Sequence, residues 1–225
     1  MISPAFRFHS AKKTKEMNLV LPYICELKIV TMNNTFKETL TQYSLLQHPF
    51  YLAWNDGTLT KQQLALYAGE YGSFIKLISK GWQQAGEQEI AKEENEHYEL
   101  WQNFAGSVGS QSVSSNLPAV KQLVSTTESH YSTYAGSLGA LYAFEAQQPA
   151  TATSKLEGLK KHYSQWNADE TYFEIHACDW QEPAMLEEKI AMLSEHDKAI
   201  AHAACASTGK ALWDALTGIM EAHMN

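Results

Sequence analysis

The sequence predicts an all-α protein, a single-domain bundle of about seven helices. Three observations predict it. From Met32 onward, apolar residues recur at helical spacing in segment after segment. No stretch shows a sustained period-two alternation rich in Val, Ile and Thr, so a sheet has nothing to be built from. The 225 residues are 44% hydrophobic with six Trp, enough for one compact core and incompatible with a disordered or collagen-like chain.

The elements follow in order. Residues 1–31 differ from the rest: Lys12, Lys13 and Lys15 precede a hydrophobic stretch from Met17 to Val30. Pro22, Glu26 and Lys28 break that stretch and no small-x-small site follows, which argues against a signal peptide. The segment reads as an N-terminal extension outside the fold, with the domain over 32–225. Thr35 to Gln47 carries Phe36, Leu40, Tyr43 and Leu46 at helical spacing, and Pro49 limits it. Asn55-Asp56-Gly57 is a turn. Thr60-x-x-Gln63 is a capping box that launches a long helix through Leu64, Tyr67, Tyr71, Phe74, Ile75 and Ile78. A helix from Gln88 to Ala105 ends at the Gly/Ser-rich loop Gly106 to Ser115. Pro118 suits a helix start, and helices are expected over 120–134, 139–147, 149–163 and 169–180. The last runs from Pro183 towards the C-terminus, with Thr208-Gly209 as a candidate break.

Composition excludes several functions. No apolar run approaches the ~18 residues of a membrane span. The net charge is −8 and Arg7 is the only arginine, so nucleic acid is repelled and phosphates find no guanidinium fork. Cys25, Cys178 and Cys205 are odd in number and far apart, which points to a reducing cytoplasm rather than a disulfide scaffold. Cys178 reads best as a buried structural thiol. There is no GxSxG, HExxH, Walker or dinucleotide glycine pattern.

Of nine histidines, His9 lies in the extension and His223 at the C-terminus. His130, His162, His196 and His202 have polar neighbours and read as solvated helix positions. His48, before Pro49, reads as a turn or capping residue. His97 and His176 remain, each with carboxylates at helical spacing. Glu93 and Glu94 precede His97 by four and three residues, and Asp179 follows His176 by three, with Glu182 further along. Glu145 stands inside the apolar run Leu141-Tyr142-Ala143-Phe144, so in a core-facing helix it must be paired, protonated or bound to metal. Facing helices that offer Glu and His in this way hold pairs of iron or manganese ions in bundle proteins. On spacing alone, Glu93, Glu94, Glu96 and Glu99 read more simply as a solvated acidic face than as metal ligands.

The segment His48-Pro49-Phe50-Tyr51-x-x-Trp54-x-x-Gly57-x-Leu59, followed by Leu64-x-x-Tyr67-x-x-x-Tyr71, resembles the heme-oxygenase-like superfamily of TenA and PqqC. Within it the chain is most similar to the branch of the chlamydial death-domain-associating (CADD) protein. His97-x-x-Leu100-Trp101-x-x-Phe104-Ala105, Ala140-Leu141-Tyr142-x-Phe144-Glu145-x-Gln147-x-Pro149, Tyr172-Phe173-x-x-His176 and Ala211-Leu212-Trp213-x-x-Leu216 carry the likeness over 34–221.

The resemblance implies a heme-oxygenase-like bundle with a dinuclear iron or iron/manganese centre that activates O2. It places the metal ligands on Glu93 or Glu94 with His97, on Glu145, and on His176 with Asp179. Tyr51 and Lys155 match two positions implicated in making p-aminobenzoate. Other members oxidise amino or fatty acids, and relatives form dimers, which implies a homodimer acting on a small-molecule substrate. This sequence departs from the pattern in three places. The family's Glu–His interval is longer, its His–Asp interval is one residue longer, and its final His is absent. Glu182 is nearest to that position, and Pro183 disfavours helical geometry there, which would swing Glu182 off the ligand stripe. Three readings result: a dimetal oxidase or oxygenase holding two ions or one, a metal-free binder or enzyme of small aromatic or heterocyclic molecules, and an interaction protein without catalysis.

Overall fold

The computed structural model describes residues 36–222; the extension over 1–31, with Cys25, and His223 lie outside them. All described regular structure is helical. After α1 (36–42) and a short 3₁₀ turn come α2 (Pro49–Asn55), α3 (Lys61–Gln84), α4 (Gln88–Ser107) and α5 (Pro118–His130). They are followed by α6 (Tyr134–Glu145), α7 (Gln148–His162), α8 (Thr171–His176), α9 (Gln181–Ala191) and α10 (Glu195–Glu221).

The described residues thus hold ten helical segments rather than about seven, and the prolines account for much of the difference. The first helix stops at 42, short of the expected 47, so Pro49 does not end it; Pro49 opens α2 at a position where a missing N–H costs nothing. His48 is the cap, its Nδ1 accepting from the Phe50 N–H at 3.0 Å. Pro183 likewise lies in the first turn of α9, which separates α9 from the short α8. The final break falls at Ser194, whose hydroxyl caps α10 by accepting from the Asp197 N–H. Thr208-Gly209 does not interrupt that helix. The Thr60–Gln63 capping box forms as expected.

The helix α6 is apolar on every side and all its residues from Ala135 to Glu145 are buried, so it is the central rod of the bundle. It packs along α10, which also covers α5, while α3 and α4 form the other long antiparallel pair. At Gly139 an added Cβ would overlap the backbone carbonyl of Ala201, so only glycine lets α6 and α10 come this close. Aromatic side chains from α2, α3, α4 and α8 fill the space between, with Trp54, Tyr67, Tyr71, Phe74 and Trp101 all buried.

Three histidines expected in solvent are instead drawn between elements. His202 meets the Thr39 hydroxyl at 2.8 Å, His130 meets Ser207 at 2.6 Å, and His162 packs against Gly57 with its Nε2 buried. Imidazoles are small enough to be used as inter-helix spacers, which polar sequence neighbours do not reveal. No helix among the described residues is long and apolar enough to cross a membrane.

Candidate metal centre

The fourth and eighth helices fix the first half of the site. Glu94 and His97 lie three residues apart on α4, hence on one face, and the Glu94 Oε1 lies 3.0 Å from His97 Nδ1. Glu93, one residue earlier, is rotated about 100° around the helix and faces solvent. The last residue of α8, His176, is buried, and its ring lies 4.7 Å from that of His97 at a steep angle. Its Nδ1–H donates to the Tyr172 carbonyl at 2.7 Å. A carbonyl can only accept, so the tautomer is fixed and the Nε2 lone pair is left free. Ligand atoms of Glu94, His97 and His176 come within 4.8 Å of one another.

Two further carboxyls complete the interior. Glu145 ends the central helix α6 and accepts from the Trp82 indole N–H at 3.3 Å. Glu182, in the first turn of α9, is 8% exposed and shares a hydrogen bond with Glu145. The proline effect expected at this point is overturned: Pro183 lies in the first turn of a new helix that begins at Gln181, and Glu182 is buried there. Asp179 is half-buried and is held in the α8–α9 turn, where its Oδ1 accepts from the Gln181 N–H at 3.1 Å. Cys178 is exposed, not buried; α8 ends at His176, and the turn carries the thiol outward.

Electrostatics follow from this crowding. Burial, then the neighbouring Glu182 and Glu94, push the Glu145 carboxyl well above the usual range. Burial, then Glu94 and Asp179, raise Glu182 to about 8. Burial lowers His176, with Glu94 opposing. For His97 burial acts in the same direction, but Glu94, Glu93 and Asp179 together outweigh it and the net shift is upward. Among the described residues no lysine or arginine reaches Glu94, Glu145 or Glu182. Glu94 has the His97 imidazole beside it, but Glu145 and Glu182, buried without a basic partner, must take up protons or a cation. Two imidazoles plus three carboxylates, without thiolate, is the donor set of iron or manganese rather than of structural zinc, so these residues fit such a centre.

Tyr51 and Lys155 form a second group, on α2 and α7. The Lys155 Nζ lies 5.3 Å from the Tyr51 ring and within 5.4–6.0 Å of Phe173, Tyr67 and Trp101. Burial lowers the amine to about 7 and raises the Tyr51 phenol far above its ordinary value. The two groups are joined by rings: Trp101 packs edge-on against Tyr172 at 4.9 Å, and Tyr172 lies 4.1 Å from the His176 ring. Trp82 and Tyr172 belong to the site through these contacts. Only the four-residue spacing of Tyr172 from His176 signals either of them in the sequence.

No family model matches the chain. It is 32% identical over 234 aligned residues to the 4-aminobenzoate synthase of Nitrosomonas europaea, covering 84% of this chain and 92% of that one. The 4-aminobenzoate synthase of Chlamydia muridarum is 30% identical over 67% of this chain and 74% of its own length. Among solved structures, a TenA homologue from Pseudomonas syringae superposes with a TM-score of 0.67 at 13% identity, covering 85% of this chain and 91% of that one. A CADD-like protein from Nostoc punctiforme gives 0.61 at 17% identity, over 88% and 100% of the two chains. Fold and sequence likeness agree: the chain has the heme-oxygenase-like fold that the TenA homologue and the CADD-like protein share, and it belongs to the family of its 4-aminobenzoate synthase relatives.

Proposed function

We propose that the chain is a non-heme dinuclear iron, or iron and manganese, oxidase that uses O2 and makes 4-aminobenzoate, the product for which its curated relatives are named. The observation that carries this reading is the buried convergence of Glu94, His97 and His176 beside the Glu145–Glu182 pair. Glu94, His97 and His176 would hold one ion, and Glu145 and Glu182 the other. A bound iron or manganese pair supplies the electrons for reaction with O2.

The chain's own residues prepare the rest. Tyr172 locks His176 with its Nε2 unprotonated, and Glu94 orients and balances His97. Trp101, Tyr172 and Phe173 keep bulk water from the space between the centre and Lys155. With its value lowered to about 7, a substantial share of Lys155 carries a free amine lone pair at neutral pH, able to accept a proton or attack carbon. Tyr51 keeps its phenolic proton at the same pH. Lys155 and Tyr51 are therefore the groups assigned to the organic half of the reaction.

Protein reconstituted without oxygen should hold about two ions per chain, and Glu94→Gln and His176→Ala should each lower that number. Bacteria unable to make 4-aminobenzoate should grow when given the wild-type chain but not Lys155→Met or Tyr51→Phe. Reconstituted protein without metal would favour the metal-free reading, a binder of a small aromatic molecule.

A further inference from the structure

Tyr131 caps the end of α5, its N–H donating to the Thr127 carbonyl at 3.1 Å, and its side chain turns into the core, where it is 3% exposed. The ring lies on α3 at Gly81. A Cβ added there would come within 2.5 Å of the Tyr131 Cζ and 2.7 Å of its Oη, so only glycine admits the phenol. The next residue along α3 is Trp82, whose indole N–H donates to Glu145. Burial first, then the charges of Glu145 and Glu94, push the phenol well above its ordinary range, so it keeps its proton. Yet the Tyr131 hydroxyl has no hydrogen-bond partner among the described residues. Tyr172, another phenol beside Glu94 and Glu145, differs in this respect, since its oxygen accepts from Gln148 Nε2 at 2.8 Å. A buried donor left unmet is costly, and one beside a candidate centre calls for a partner that arrives with the ions.

We propose that the Tyr131 hydroxyl is the hydrogen-bond donor to a small anion bound at the centre as an outside ligand, the class to which hydroxide and azide belong. The inference rests on the dimetal reading above. A catalytic metal site keeps a coordination position open for such a ligand. Glu94, Glu145 and Glu182, once ionised around a metal, are acceptors only. The Nδ1–H of His176 is committed to the Tyr172 carbonyl, and the Trp82 N–H to Glu145. An anion among these groups therefore finds its donor in a neutral phenol. Its charge makes that bond about twice as strong as one to a neutral acceptor.

The test is azide binding to cobalt-loaded protein, followed by cobalt visible absorption and by the infrared azide stretch. Tyr131→Phe should take up the wild-type amount of cobalt and hold azide about tenfold more weakly. In wild type the azide stretch should shift between H2O and D2O, and in Tyr131→Phe it should not. Metal-free Tyr131→Phe should melt no lower than wild type, because the variant loses only an unmet polar group. A lower melting temperature would show that the hydroxyl already has a partner, and would overturn the proposal with no metal present. Equal azide affinity in the two proteins, or loaded wild type that binds no azide, would overturn it while leaving the centre standing. Reduced cobalt in the variant would overturn it too, by making the phenol part of metal binding itself. Wild-type protein that takes up no cobalt would remove the dimetal reading and this inference with it.

Discussion

The Lys155 ammonium is enclosed by four aromatic rings, and no carboxylate stands in ion-pair reach among the described residues. Its value falls from 10.5 to about 7 because the charged form is desolvated. In the unfolded chain it keeps its ordinary value. Below pH 7 the amine is charged in both states, so the burial cost is fully present; between about 7 and 10.5 the unfolded chain holds the extra proton, and stability rises with pH. Ring faces return part of that cost, leaving on the order of 3 kcal/mol. Metal-free Lys155→Met should therefore be more stable than wild type at pH 6 by about that amount, with the gap closing towards pH 10. Denaturation midpoints at the two pH values measure it, and a pH-independent gap would contradict a buried neutral amine. Nothing local marks Lys155 in the sequence: its neighbours Ser154, Glu157 and Lys160 resemble any solvated helix, and only the family likeness singles it out. Glu145 is legible without help, because apolar residues precede it throughout α6. The choice between Glu93 and Glu94 is not, since adjacent residues on a helix differ by an angle that only the neighbouring helices can fix.

Sequence signals for these helices differ in how many settings they allow, which is why element starts and ends are unevenly legible. A capping box has one meaning, and Thr60–Gln63 forms where the sequence places it: Thr60→Ala should cost about 1 kcal/mol in a urea titration, with little effect on metal content. A proline has two meanings, since it ends one helix and is well placed to begin another. Pro49 and Pro183 both take the second, and the fate of Glu182 turns on that. Gly209 reads as a breaker, yet α10 is packed against α5 and α6 on either side of it, and tertiary contact overrides a propensity penalty of about 1 kcal/mol. Gly139 is the converse: in sequence an ordinary helix glycine, in the fold the point where α6 meets the Ala201 carbonyl. Gly139→Ala would force the two helices apart, at a cost of about 3 kcal/mol. Because α6 carries Glu145 at its end, this variant should also lose metal affinity, which separates it from Thr60→Ala although both act far from the centre.

At the scale of the whole molecule, the candidate centre lies where two packed units meet. Glu94 and His97 belong to α4, which packs on α3, and α8 leans on α4 and α7; Glu145 and Glu182 belong to α6 and α9, which pack on each other and on α10. Two short links join the units beside the centre, 177–180 between α8 and α9 and 146–147 between α6 and α7. Ions held by donors from both units would act as a clasp, and without them the Glu145 and Glu182 carboxyls are crowded together with no base to balance them. Metal at a hundred times its dissociation constant would add about 2.7 kcal/mol. For a chain of this length that corresponds to a rise of roughly 5–10 °C in Tm. Chelation should reverse it in wild type and leave His176→Ala unmoved. The loss should also be uneven. Hydrogen exchange of α8 and α9 amides should accelerate on chelation far more than that of α3, whose buried aromatic face holds it independently of the ions. Uniform acceleration would mean that metal stabilises the bundle as a single block, and equal protection in both states would mean that the Glu145–Glu182 hydrogen bond already closes the junction unaided.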